Sequence, residues 1–246
     1  MTRRAWVEQI MGLPVSIHLR GPDVRGPEAE RAVAAAYTEL ARLDALFSTY
    51  RPDSPVSRQR RGEVVDDDPL LVEVAALCAD AQELTGGAFT AWLPDADGGV
   101  TRYDPTGLVK GWAVDRAALE LAGLPATAWA VNAGGDVLVG RHAHVAPEGE
   151  DAAAWRIGVE DPADRSRMMA VVPLTRGALA TSGTAARGAH LYDPKTGQMV
   201  DRTGSRTVVA DTLLWADVWA TALFVGDEST LEAFSRNAAG AQTFAA

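Results

Sequence analysis

The stretch Thr212-Leu-Leu-Trp-Ala-Asp-Val-Trp-Ala-Thr-Ala-Leu-Phe-Val225 constrains the fold of this chain more than any other. Read as a helix, it is apolar on nearly every face. It has no side to offer water and must be enclosed by other elements. Asp211 or Thr212 stands where an N-cap belongs. One charge, Asp217, lies in its interior. A buried carboxylate without a partner is costly or takes up a proton, so Asp217 demands a cation or hydrogen-bond donors. Thr221 follows four residues later, with the two Cβ atoms about 5–6 Å apart on one helical face. A carboxylate and a hydroxyl so placed suit a hard cation such as Mg²⁺ or Ca²⁺. They equally suit a salt bridge or cap at Asp217 and a Thr221 hydroxyl bonded to its own i−4 carbonyl.

The rest of the chain supplies the enclosure. Its 246 residues are enough to bury roughly 70–75% of the surface an unfolded chain exposes. Val15, Ile17 and Leu19 alternate with polar residues, which predicts a half-buried strand after a turn at Gly12-Leu13-Pro14. Further short strands are expected at residues 128–132, 137–139, 155–159, 168–174, 178–181, 190–192 and 207–210. Helices are expected over 27–47, 69–84, 112–121, 212–225 and 228–237. Residues 48–68 read as loop and 98–111 as turns. Strands and helices follow in mixed order without βαβ alternation. The expectation is an α+β fold: a single domain over residues 1–246 with a mixed or largely antiparallel sheet flanked by helices.

Charge and hydropathy argue against two classes of partner. The formal charge is −10, and the one dense basic run (Arg58, Arg60, Arg61) is followed closely by Asp66, Asp67 and Asp68. Nucleic acid, which needs clustered Lys and Arg, is not expected as a partner. No segment approaches the ~18–20 apolar residues of a membrane span. The start carries Arg3 and Arg4, but Glu8, Gln9 and Gly12 interrupt any apolar run, and no Cys lies nearby to carry a lipid. That pattern reads as cytoplasmic. The one cysteine, Cys78, falls in an apolar run and reads as a buried small hydrophobe.

Several further stretches can carry chemistry. Lys110-Gly111, read as a helix start, offers a point charge and free N–H groups to a phosphate, with Asp115 able to support the helix start or pair with Lys110. Asn132-Ala-Gly134-Gly135-Asp136 is a tight hairpin turn or a close approach of backbone to ligand. Thr181 and Ser182 can bind a ligand or cap a turn, and His190 is a candidate general base. Tyr50 with Arg51, Ser54 and Arg58 forms either a surface loop or a stacking site for a nucleotide.

Together and in order, these stretches resemble the FAD:protein FMN transferases, the ApbE-like family. Its pattern runs Met-Gly-Thr, Phe-Ser-x-Tyr-x-x-x-Ser-x-x-Ser, Lys-Gly-x-x-x-Asp, Asn-x-Gly-Gly-Asp, Thr-Ser-Gly…His-x-x-Asp-Pro-x-x-Gly and Ala-Asp-x-x-x-Thr. The corresponding residues are Met11-Gly12, Phe47 to Ser57, Lys110 to Asp115, Asn132 to Asp136, Thr181 to Gly197 and Ala216 to Thr221. Leu13, Arg60, Thr90, Pro105-Thr106 and Lys195 depart from that pattern. The resemblance implies Mg²⁺-dependent transfer of FMN from FAD to a Ser or Thr hydroxyl of a target protein, with AMP leaving. It implies Asp217, Thr221 and a backbone carbonyl at Val109 or Gly107 as metal ligands. Tyr50, Ser54, Lys110, Asp115, Gly134, Gly135, Asp136, Thr181 and Ser182 would line the FAD site. His190 would take the acceptor's proton, with Asp193 orienting it. The same ion with water as nucleophile would make an FAD pyrophosphatase, and binding without turnover would make an FAD carrier.

Overall fold

In the computed structural model, residues 2–65, 68–94, 101–142, 154–164, 166–184 and 191–246 are described. The chain opens with a hairpin of β1 (Thr2–Ile10) and β2 (Leu13–Gly21). Helices α1 (Pro27–Phe47), α2 (Pro55–Arg60) and α3 (Pro69–Leu84) follow, then the small strands β3 (Trp92–Pro94) and β4 (Thr101–Tyr103). Next come α4 (Thr106–Ala117), α5 (Leu119–Ala122), β5 (Ala128–Ala133), β6 (Asp136–Arg141), β7 (Trp155–Glu160) and β8 (Met168–Leu174). The last part holds β9 (Gly177–Gly183), β10 (Tyr192–Asp193), β11 (Gln198–Met199), β12 (Ser205–Ala210), α6 (Leu213–Val225), α7 (Glu228–Asn237) and β13 (Gln242–Ala245).

Seven strands form one sheet in the order β1-β2-β5-β6-β9-β12-β13, and every recorded pairing is antiparallel. The α+β expectation holds. The sheet's two faces are covered differently. One carries the helices, with Leu19, Leu40, Leu108, Val131, Ala180, Leu213 and Trp219 in a single buried cluster. The other buries Ala130, Val137 and Val139 under Trp155, Ile157 and Leu174 of the β7–β8 hairpin. Helix α6 lies on β9 and β12, enclosed along most of its surface as its composition requires; Thr212, not Asp211, caps it by accepting from Trp215 N. Cys78 is buried in α3, and its thiol lies 4.0 Å from the Tyr103 hydroxyl. Burial pushes the thiol's pKa up to about 11.

Two local readings are corrected. Residues 48–68 are not all loop: Pro55 at the first helical position and the Ser54 hydroxyl, which accepts from Ser57 N, start the short helix α2. Residues 106–111, expected as turns, form the first half of α4. Asp104 accepts from the backbone N–H and hydroxyl of Thr106, which organises the start of α4. Gly111 is tolerated inside it for a packing reason: a Cβ there would stand 2.7 Å from Leu213 O. A smaller helix, α5, continues where the 112–121 helix was expected to run on. Strand β13 gave no local signal; it is held by pairing with β12. Among the described residues no helix is long and apolar enough to cross a membrane.

Candidate active site

The site grows from the close contact of α4 and α6, which Gly111 permits. That approach brings two residues of α4 against α6. Asp115 reaches the start of α6, where Oδ1 accepts from Leu213 N at 2.9 Å and Oδ2 from Leu214 N at 2.8 Å. It thereby satisfies donors that the first turn of a helix cannot satisfy itself. Lys110, one and a half turns earlier, meets the middle of α6: its ammonium lies 3.2 Å from Asp217 Oδ2. Lys110 is inside α4 rather than at a helix start, so it acts as a side-chain charge and not as part of a helix-terminal phosphate seat.

The sheet supplies the opposite side. The β5–β6 turn is a two-residue turn with Gly134 at φ 64° and Gly135 at φ 107°, backbone that glycine adopts without strain. Gly135 N donates to Asn132 Oδ1 at 2.9 Å, and Gly134 N reaches across to Pro14 O of β2. Asp136, buried at the start of β6, accepts from Thr181 N of β9 through Oδ1 and takes the Lys110 ammonium on Oδ2. On Lys110, burial works against the charged form, but Asp217 and Asp136 outweigh it and raise the pKa above the ordinary lysine value. The Ser182 hydroxyl lies 2.8 Å from the Thr221 hydroxyl, and that of Thr181 lies 2.9 Å from Thr207.

Several of these groups face one cavity of about 570 Å³. That volume lies within the range of small-molecule and cofactor sites. Lys110, Val109, Gly134, Asp136, Thr181, Ser182, Asp217 and Thr221 all line it, with Tyr50, almost fully exposed, on its rim. Four expected members among the described residues, Ser54, Asp115, Gly135 and Asp193, do not line it. Ser54 spends its hydroxyl on Ser57 N and Ser48 O, fixing the loop that carries Tyr50. Asp115 is committed to α6, and Gly135 to its own turn. Asp193 is committed as well: Oδ1 accepts from Lys195 N and Oδ2 from the Thr196 hydroxyl, both at 2.9 Å. It shapes the β10–β11 turn, whose Tyr192 and Pro194 form part of the cavity wall. His190 lies outside the described residues. Two carboxylates that sequence reasoning passed over, Asp44 and Asp104, also face the cavity. Burial raises the Asp44 pKa, with Arg51 opposing. Asp104 was findable as an aspartate able to form an Asx turn to the residue two places on, Thr106.

The donor set fits a hard cation. Asp217 and Thr221 present oxygens on one face of α6, and the ammonium beside Asp217 marks the spot as one that favours positive charge. Among the described residues no group of three His, Cys, Asp or Glu converges on a metal position. A single carboxylate, a hydroxyl and a carbonyl, completed by water and ligand phosphate, is how Mg²⁺ is commonly held. Val109 is the weakest of the three, because a carbonyl inside a helix is already aligned with the backbone ladder and has only its second lone pair to give.

Comparison with known proteins bears on the family and the fold. The ApbE family profile matches residues 11–96 and 95–244. The FAD:protein FMN transferase of Haemophilus influenzae is 32% identical over 147 residues, which is 54% of this chain and 40% of that protein. The Escherichia coli K12 enzyme of the same name is 34% identical over 93 residues, 33% of this chain and 26% of that protein. The matched stretches thus span less than half the length of these relatives. Among solved structures, the ApbE protein of Thermotoga maritima superposes with a TM-score of 0.78 at 24% identity, covering 99% of this chain and 94% of that one. The Pseudomonas stutzeri flavinyl transferase ApbE, in its apo form, gives 0.77 at 24% identity, covering 99% and 90%. These two likenesses are of fold. The profile match extends over nearly all of the sequence, and the chain belongs to the ApbE family.

Proposed function

We propose that this chain, with residues 1–246 working as one domain, transfers FMN from FAD to a Ser or Thr hydroxyl of a target protein, with Mg²⁺ as cofactor and AMP as the other product. The observation that carries this reading is the convergence of Lys110, Asp217, Thr221 and Ser182 with the glycine turn at Gly134 on one cavity of cofactor size. In the reaction, the acceptor oxygen bonds to the phosphorus of the FMN half. The bond from that phosphorus to the bridging oxygen breaks, AMP leaves with the bridging oxygen, and the acceptor's proton passes to a base. Such transfers depend mostly on positioning and charge stabilisation. Asp217, Thr221 and a carbonyl of α4 would hold Mg²⁺, which neutralises pyrophosphate charge when bound. Lys110 adds a positive charge at the cavity wall, held by Asp136. The Gly134 turn lets backbone approach the ligand closely. His190 is the proposed base; its neighbours Leu191 and Tyr192 line the cavity.

The test is mass spectrometry of a Thr-containing acceptor protein incubated with the chain, FAD and Mg²⁺. A mass gain of one FMN less one water, lost in His190→Ala, is expected. Free FMN and AMP with an unmodified acceptor would replace the reading with a pyrophosphatase. Bound but intact FAD across a panel of acceptors would replace it with a carrier.

A further inference from the structure

The arrangement of Lys110 goes beyond holding a ligand. An ammonium has three N–H donors. Here one meets Asp136, one lies toward Asp217, and the side chain borders the cavity. The two carboxylates differ in freedom. Asp136 is fixed, because its other oxygen is bound by Thr181 N in the β6–β9 sheet. Asp217 stands on α6 with its side chain directed to the cavity, and its contact with the ammonium, at 3.2 Å, is the longer of the two. Asp217 and Asp136 are both buried, so each needs positive charge whether or not a ligand is present.

We infer that Lys110 is the internal counter-ion of Asp217 in the metal-free protein and is exchanged for the divalent ion when that ion binds. Asp136 is the anchor that retains the ammonium after exchange, so Lys110 then turns a freed N–H to the cavity and its anionic ligand. Lys110 is in this sense a positioning residue with two states. The inference rests on the metal reading given above and adds three consequences. Apo protein keeps a paired Asp217. The ion must compete with an ammonium for its carboxylate. Ion binding makes one donor available for phosphate.

The exchange is tested on binding, without turnover. Calorimetric titration of Mg²⁺ alone should give Lys110→Met a dissociation constant at least about tenfold lower than wild type, because the competitor is gone. Asp136→Asn should bind Mg²⁺ more weakly than wild type, because the ammonium then falls wholly to Asp217. Crystal structures of the wild type grown in EDTA and in Mn²⁺ cover the case in which a variant does not fold. Lys110 Nζ should lie within hydrogen-bond reach of Asp217 in EDTA and out of reach in Mn²⁺, still on Asp136. Unchanged or weaker Mg²⁺ binding in folded Lys110→Met, or an ion on Asp217 with Lys110 unmoved, overturns the exchange alone. Ion binding by Lys110→Met but not by wild type supports it. No ion bound by wild type or variants overturns it together with the proposed metal site, whereas FMN transfer itself is read separately by the acceptor's mass.

Discussion

Asp115 and Asp217 both serve the contact between α4 and α6, and they differ in what they hold. Asp115 crosses from α4 to two backbone N–H groups at the start of α6. Asp217 crosses from α6 to an ammonium on α4. Backbone donors in a packed helix cannot move aside, so Asp115 has one arrangement. An ammonium on a four-carbon stem can, so Asp217 has a partner that a ligand can replace. Two acidic residues at one seam thus divide the work: the first fixes the helices relative to each other, and the second faces the cavity.

The division predicts opposite outcomes for matched variants. Asp217→Asn should lower Mg²⁺-dependent FMN transfer by about 10²–10³-fold or more, as for loss of a group that organises transition-state charge. Its melting temperature in EDTA should move little, since Asp136 keeps the ammonium paired. Wild-type transfer rates in that variant would break the comparison. Asp115→Ala should do the reverse. It strands two N–H groups at the start of α6, at a cost of about 1–3 kcal/mol, read by urea denaturation. Transfer per folded molecule should fall far less than in Asp217→Asn.

Gly111→Ala tests whether the two halves are coupled. A Cβ there meets Leu213 O and must force the helices apart. A loss of about 1–3 kcal/mol is expected, with transfer activity falling as well because Lys110 and Asp217 separate. Stability lost with activity intact would show that the seam tolerates displacement.

The smallest effect is on pH dependence. Burial raises the Asp115 pKa to about 6, against the two backbone hydrogen bonds that lower it. An unfolded aspartate titrates near 3.9. Between those values the folded state binds more protons than the unfolded state, so the stability this group contributes is present below about pH 4 and declines as pH rises to about 6. Chemical denaturation of Asp115→Asn between pH 4 and 6 should show a flatter profile than wild type. An identical slope would place the titration elsewhere.

Much of the candidate site's geometry was legible because its spacing is helical or hairpin-like. Asp217 and Thr221 share a face at i, i+4; the glycine pair marks a two-residue turn; the wholly apolar helix announces its own burial. What was not legible depends on partners distant in sequence. Asp115 read as support for its own helix start, a partner of Lys110 or, by resemblance, a cofactor contact; its bonds reach instead to Leu213 and Leu214, about a hundred residues away. Gly107 and Gly111 suggested turns because local propensity does not register a neighbouring helix that requires the missing side chain. Asp193 and Ser54 have short polar side chains that serve turns and caps as readily as ligands, and spacing alone does not separate the two uses.

The buried thiol of Cys78 offers a way to time the opening of this core. The thiolate is the reactive form, and a pKa near 11 leaves almost none of it at neutral pH. Burial on the inner face of α3 further denies access to a reagent in the closed state. Alkylation or disulfide exchange at Cys78 therefore proceeds only through moments when α3 lifts from its neighbours. With a single cysteine in the sequence, each labelled molecule records one such event at one known position. Labelling rates with and without FAD would convert that thiol into a clock for how much the ligand quiets the helical face.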